Sequence, residues 1–188
     1  MRIIAGTFRG RRLATVGKTD NAAHLRPTTD RVRENLFNLL SSERISNRLA
    51  NARVLDLFSG TGALAFEALS RGASSIWMVD SGAKSAAIVQ KNIALFKTDA
   101  QVVFKKLDAT RLAKCPVDAF DLIFLDPPYG KGLGEKALKI ALERGWIAPE
   151  AYIVWEESCP MTAPTGFILF DQRKYGDTHV TILQRAVL

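Results

Sequence analysis

VLDLFSGTGALAFEALSRG, residues 54–72, changes its repeat partway along. An apolar run ends in Asp56, breaks at Ser59-Gly60-Thr61-Gly62, and resumes as Ala63, Leu64, Phe66, Ala68 and Leu69 at helical spacing. That pattern predicts strand, tight turn, helix. Glycines at 60 and 62 let the backbone bend sharply and approach a ligand where a β-carbon would collide. A carboxylate at the strand end repels phosphate but suits an ammonium or hydroxyl group, so the expected guest carries no pyrophosphate. Such turns are also common as plain structure, so the reading needs a second signal, and Asp126-Pro127-Pro128-Tyr129 supplies it.

Outward from this turn, strands and helices alternate. Strands are expected at Arg53–Leu57, Ser75–Val79, 101–107, Phe120–Leu125 and 151–155, with helices over 62–70, Ala83–Phe96 and 132–144. Two closing strands, 166–170 and 178–183, imply an antiparallel hairpin at one edge. The fold class predicted is α/β: a Rossmann-like, mostly parallel seven-stranded sheet with an antiparallel edge strand and helices on both faces. Two domains are expected, a basic N-terminal hairpin or arm over 1–24 and a catalytic domain over 25–188. In the arm, Arg2–Gly6 and Arg12–Val16 read as short strands joined through Phe8, which either touches a base or, more simply, anchors the hairpin. Residues 17–23 read as an irregular connection. Pro27 with Thr28 or Thr29 opens a helix whose apolar stripe is Val32, Leu36, Phe37, Leu39 and Leu40. Arg26, Thr28 and Thr29 at that helix start either hold a ligand carboxylate or simply cap the helix.

The 188 residues suffice for a full core, and 47% of them are hydrophobic, which excludes a disordered chain. No apolar run is long enough for a membrane helix, and the start lacks a signal-peptide segment, so a cytoplasmic location is expected. Cys115 and Cys159 are expected to be reduced and structural; with His24 and His179 they form no metal-ligand pattern, and no metal is expected. The net charge of +7 is unevenly placed: residues 1–50 hold ten Arg/Lys against four Asp/Glu, the remainder sixteen against fifteen. Nine of the ten are arginines, whose planar fork suits phosphate, so the front of the chain is expected to meet a polyanion.

Four successive strands end in acids, Asp56, Asp80, Asp108 and Asp126, and ligands of doubly wound sheets sit at those ends. Asp80, 24 residues past Asp56, is placed for the hydroxyls of a ribose, and Asp108 with the backbone of Ala109 for an adenine amino group. The pocket fits an adenosine that carries an amino-acid tail. In Asp126-Pro127-Pro128-Tyr129 neither proline has an N–H, so the corner presents the Asp126 carboxylate and the Pro127 carbonyl as acceptors. An exocyclic NH2 offers two hydrogens to such a pair, and Tyr129 can stack on its base.

These residues, together with Arg2-Ile3-Ile4-Ala5-Gly6, Arg9-Gly10-Arg11-Arg12-Leu13 and Arg26-Pro27-Thr28-Thr29-Asp30-Arg31-Val32-Arg33-Glu34, closely resemble the bacterial 16S ribosomal RNA guanine-N2 methyltransferases of the RsmD-like family, within the class I S-adenosylmethionine-dependent methyltransferases. The resemblance weakens beyond Ser158. It implies S-adenosylmethionine as cofactor, held by Arg26, Thr28, Thr29, Asp56, the turn Phe58, Ser59, Gly60 and Gly62, Asp80 with Ser81, and Asp108 with Ala109. It implies catalysis by Asp126, Pro127 and Tyr129, and RNA contact by Arg2, Arg9, Arg11, Arg12, Arg31 and Arg33. The implied partner is 16S ribosomal RNA within a small-subunit assembly intermediate, met by a monomer. A DNA adenine-N6 methyltransferase would share the acceptor pair but needs a recognition domain for which the chain has no room; a non-catalytic RNA-binding protein of the same fold is the other alternative.

Overall fold

The computed structural model describes residues 1–15, 30–42 and 49–187. Arg26, Thr28, Thr29 and the connection expected over 17–23 lie outside the described residues. The elements are α1 (Asp30–Leu40), β1 (Arg53–Leu57), α2 (Ala63–Ser70), β2 (Ser75–Val79), α3 (Ala83–Phe96), β3 (Val102–Lys105), β4 (Phe120–Leu125), α4 (Leu133–Glu143), β5 (Ile147–Glu157), β6 (Phe167–Tyr175) and β7 (Thr178–Arg185). Seven strands form one sheet in the order β3-β2-β1-β4-β5-β7-β6. The first five are parallel, and β7 is antiparallel to both neighbours. The reversed strand is thus inserted one place in from the edge that β6 forms. No helix among the described residues is long and apolar enough to cross a membrane.

Alternation along each strand sorts the core into two layers. Val54, Ile76, Met78, Leu122, Phe124 and Val154 pack under α1, α2 and α3. Leu55, Leu57, Ile123, Leu125, Ile153 and Trp155 pack against α4. The period-two rule therefore sends Asp56, Asp126 and Glu156 to the α1–α3 side as their strands end.

Three expectations need correction. Among the described residues the first two strands are not strands: they meet at one isolated bridge, Arg2↔Arg12. Ile3 N–H still donates to the Arg11 carbonyl at 2.9 Å and Leu13 N–H to the Met1 carbonyl at 3.2 Å, but the ladder goes no further, because Ile4 and Ala5 N–H groups donate to the Glu67 carboxylate at 2.8 and 3.1 Å. Thr7 N–H donates to the Ser70 carbonyl at 2.8 Å and Phe8 N–H to the Ser70 hydroxyl at 2.9 Å. The described part of the arm is thus docked, with Ile3 and Leu13 inside the main core and Phe8 packed edge-on against Phe96 at 5.1 Å; Phe8 anchors. Gly6 has φ +80, and a β-carbon there would lie 1.7 Å from the Ser70 carbonyl oxygen, so the chain hugs the end of α2.

β5 is the second correction. It starts at Ile147, not 151, and its register slips between Phe120 and Leu122 of β4. Pro149 cannot donate to the ladder and Glu150 takes φ 58, so the strand kinks there and resumes. Lastly, β6 runs through Asp171-Gln172-Arg173-Lys174, whose polarity hid it: an edge strand tolerates a polar run that a central strand does not.

Candidate active site

The turn after β1 is held by its neighbours. Phe58 and Ser59 donate their N–H groups to the Val79 carbonyl at 2.9 and 3.2 Å, tying the turn to the end of β2. Phe58 takes φ 64, a left-handed conformation that costs a non-glycine residue energy and is found at functional turns. Asp80 joins two turns: one carboxylate oxygen accepts from Gly60 N–H at 2.8 Å, the other from Gly82 N–H at 2.7 Å. Ser81, between them, is exposed. Gly62 has φ +76, and a β-carbon there would come within 2.9 Å of the Met78 sulfur and 3.1 Å of the Phe66 ring. Gly62→Ala is therefore expected to distort the turn and weaken cofactor binding roughly tenfold or more, at about 1–3 kcal/mol of overpacking; calorimetric titration with S-adenosylmethionine checks it.

Asp56 is 2% exposed. Burial, then the charges of Asp126 and Asp80, push its carboxyl well above the ordinary value, against a hydrogen bond from the Ala65 backbone that lowers it. Asp126 is also pushed well up, by burial and then by Glu156 and Glu157. The turn thus brings Asp56, Asp80 and Asp126 into electrostatic range of one another, joined by two glutamates from β5. The register explains the glutamates: Leu125 pairs with Trp155, so the residues after each, Asp126 just past the end of β4 and Glu156 still within β5, stand side by side.

Between the ordinary carboxyl value of 3.8 and the raised one, the folded protein binds more protons at Asp56 than the unfolded chain does. That group's contribution therefore falls as pH rises through this window and is flat above it. Without cofactor, Asp56→Asn is expected to raise Tm relative to the parent by an amount that grows from pH 4 upward and then levels off; thermal melts across that range check the sign.

Glu157 organises the Asp126–Tyr129 corner, accepting from Gly130 N–H at 3.1 Å and from Ser158 N–H at 2.7 Å. Asp126 N–H lies 3.4 Å from the Leu57 carbonyl, which ties the corner to β1. The Pro127 side is buried, and Tyr129 is half-buried with its hydroxyl 3.4 Å from that of Thr178 on β7. Burial holds the Tyr129 phenol up at about 12, so it stays neutral at any working pH.

Asp108 stands apart from this cluster. It is exposed and caps a 3-10 turn over Ala109–Arg111, accepting from the Thr110 N–H and hydroxyl at 2.8 and 2.7 Å. Those bonds hold its carboxyl below the ordinary value. Ala109 beside it is buried.

The arginines divide. Arg2, Arg9, Arg12 and Arg31 are exposed. Arg11 is exposed too, but donates to the Leu95 carbonyl at 2.6 Å and lies 4.4 Å over the Phe96 ring. Arg33 corrects its expectation: it is 0% exposed and donates to the Arg2 carbonyl at 2.7 Å, so its charge faces the interior and not an RNA backbone. Sequence reasoning gave no role to Glu67, Ser70, Asn92, Glu156, Glu157 or Thr178. For the glutamates a signal was present, since they continue the row of strand-end acids; for the others none was.

The residues fit S-adenosylmethionine. The Ser59 hydroxyl is buried without a hydrogen-bond partner, as expected of a group that serves a ligand. The cluster of raised carboxyls favours a guest bearing positive charge, which an ammonium and a sulfonium supply. The turn with no room at Gly62 lets the backbone come close.

The family described as Conserved hypothetical protein 95 matches residues 1–184. The chain is 34% identical over 188 residues to Ribosomal RNA small subunit methyltransferase D of Escherichia coli strain K12, covering 98% of this chain and 90% of that one. To the protein of the same name from Haemophilus influenzae it is 34% identical over 181 residues, covering 94% and 89%. A solved structure titled "Putative methyltransferase yhhF from Escherichia coli" superposes with a TM-score of 0.83 at 32% identity, over 100% of this chain and 99% of that one. Matched along nearly its whole length in both sequence and fold, the chain belongs to the ribosomal RNA small subunit methyltransferase D family of class I S-adenosylmethionine-dependent methyltransferases.

Proposed function

We propose that the protein methylates the exocyclic N2 amine of one guanine in small-subunit ribosomal RNA, using S-adenosylmethionine. The observation that carries the reading is the corner after β4: a carboxylate and a proline carbonyl, with no N–H at Pro127 or Pro128, tied to the cofactor turn through Leu57. When bound, S-adenosylmethionine supplies an activated methyl group whose transfer needs only an aligned nucleophile, so positioning carries much of the rate. Asp126 and the Pro127 carbonyl accept from the two amine hydrogens, aim the nitrogen and stabilise its developing positive charge. Tyr129, neutral and steadied at Thr178, stacks on the base. Glu157 fixes the loop behind it through Gly130. A guanine in a folded helix has to leave its stack to enter.

In this reading the turn from Phe58 to Gly62 holds the methionine part of the cofactor, Asp80 the ribose, and Asp108 with Ala109 the adenine edge. The substrate is an assembly intermediate of the small subunit, met by a single copy of the chain. The basic segment at 1–24 acts as the RNA-facing extension of the catalytic domain at 25–188. The names of the relatives support ribosomal RNA as the substrate class.

The experiment is methyl transfer from labelled S-adenosylmethionine to ribosomal RNA, to small subunits and to duplex DNA, followed by nucleoside mass spectrometry. N2-methylguanosine in small-subunit RNA is the expected product. Label in DNA adenine overturns the reading, and so does RNA binding with neither cofactor binding nor transfer.

A further inference from the structure

We propose that the exposed face of α3 is an RNA track, carrying the substrate backbone from the rim of the active site to the basic turn at Arg9–Arg12. It rests on the ribosomal RNA reading above and names the surface that reading needs. The topology poses the problem. α3 starts just after Asp80, at the C-terminal end of the sheet where the site lies, and runs back to the opposite end. The N-terminal basic turn is docked at that opposite end, with Phe8 against Phe96, the last residue of α3, and Arg11 on the Leu95 carbonyl. A substrate that touches both the Asp126 corner and this turn has to cross the flank between them.

The flank is built for a polyanion. Lys84, Ile88, Lys91 and Leu95 recur at 4, 3 and 4 residues, one stripe of the helix, and Lys84, Lys91 and Leu95 are exposed. At 1.5 Å per residue the stripe is about 16 Å long, and Arg11 extends it at the far end. No acidic residue occurs from Ser81 to Thr98. The charge placement also runs against helix stability: α3 has no acid in its first turn and no base in its last, while Lys84 stands in the first turn, where the dipole disfavours a cation. α4, on the other layer, likewise has no base in its last turn, but it carries Glu135 in its first turn and pairs Lys139 with Glu143 at 3.9 Å. An outward face that serves only to be solvated has no need to differ from α4 in this way.

The test compares the full-length protein with Lys84→Glu/Lys91→Glu, with the milder Lys84→Gln/Lys91→Gln, and with Lys136→Glu/Lys139→Glu on α4 as control. Measured are Tm, calorimetric affinity for S-adenosylmethionine, and methylation of small-subunit RNA across a salt series. The α3 variants are expected to raise KM for RNA roughly tenfold and to flatten the salt dependence of binding by about one to two charges. Their cofactor affinity and kcat at saturating RNA should match the parent, their Tm should equal or exceed it because a cation leaves the first turn of α3, and the α4 control should keep its KM. An unchanged KM and salt slope in both α3 variants overturns the track, as does an equal loss in the α4 control. If the parent itself methylates no ribosomal RNA, the functional reading fails, a result seen before any variant is compared, and the track falls with it.

Discussion

Asp126→Asn is expected to lower methyl transfer on the order of 10²–10³-fold while leaving S-adenosylmethionine affinity near that of the parent. Asparagine keeps the shape of the side chain and one acceptor oxygen but loses the negative charge that stabilises the positive charge developing on the amine nitrogen. The same substitution should raise the Tm of the cofactor-free protein. Burial and the neighbouring Glu156 and Glu157 push the Asp126 carboxyl well above its ordinary value, which means that the ionised form is held at a cost. A neutral amide escapes that cost. Activity and stability thus move in opposite directions, which a merely misfolded variant cannot imitate. Single-turnover methyl transfer, calorimetry and thermal melts measure the three quantities. A loss of cofactor affinity as large as the loss of transfer would reassign Asp126 to cofactor binding.

Glu67→Ala is expected to destabilise the protein by about 3–5 kcal/mol, the usual result of removing one member of a buried charge pair. For a chain of this size that lowers Tm by roughly 10 °C. The Glu67 carboxylate is 0% exposed and holds three groups: the N–H groups of Ile4 and Ala5, and the Arg71 Nε at 2.8 Å. Alanine leaves all three without their acceptor and releases the first fifteen residues from α2. Glu67→Gln, which keeps the volume and one carbonyl oxygen, should cost less. Limited proteolysis reads the release directly, as early cutting within residues 1–15 of the alanine variant; equal resistance of variant and parent would show that the remaining hydrogen bonds and apolar contacts hold the segment without Glu67.

The sheet was legible because its strands are short apolar runs that stop at acids, and because a buried parallel strand has few other ways to be written. Arg53–Leu57, Ser75–Val79, Ala83–Phe96 and Phe120–Leu125 stand where the pattern put them. The turn after β4 was legible for a related reason: two prolines after a buried strand restrict the backbone so tightly that the turn is set locally. The N-terminal segment was not legible. Its alternation looked like a hairpin, but Ile4, Ala5, Thr7 and Phe8 spend their donors on Glu67 and Ser70, more than sixty residues away, and no local pattern encodes a partner at that distance. Arg33 was misread for a like reason. An arginine among arginines looks exposed, and only the packing of α1 over the arm turns it inward. The polar half of β6 escaped because hydropathy marks what a strand buries, and an edge strand buries little.

The docking of residues 1–15 has a consequence in time. Their partners Glu67, Ser70, Asn92 and Leu95 are made 62 to 84 positions later. At roughly 5–20 residues per second, residues 1–15 of the nascent chain wait several seconds with their arginines bare before a surface exists to receive them. Contacts so distant along the chain also close late in refolding. Residues 1–15 therefore cannot settle until the chain has been made as far as the end of α3.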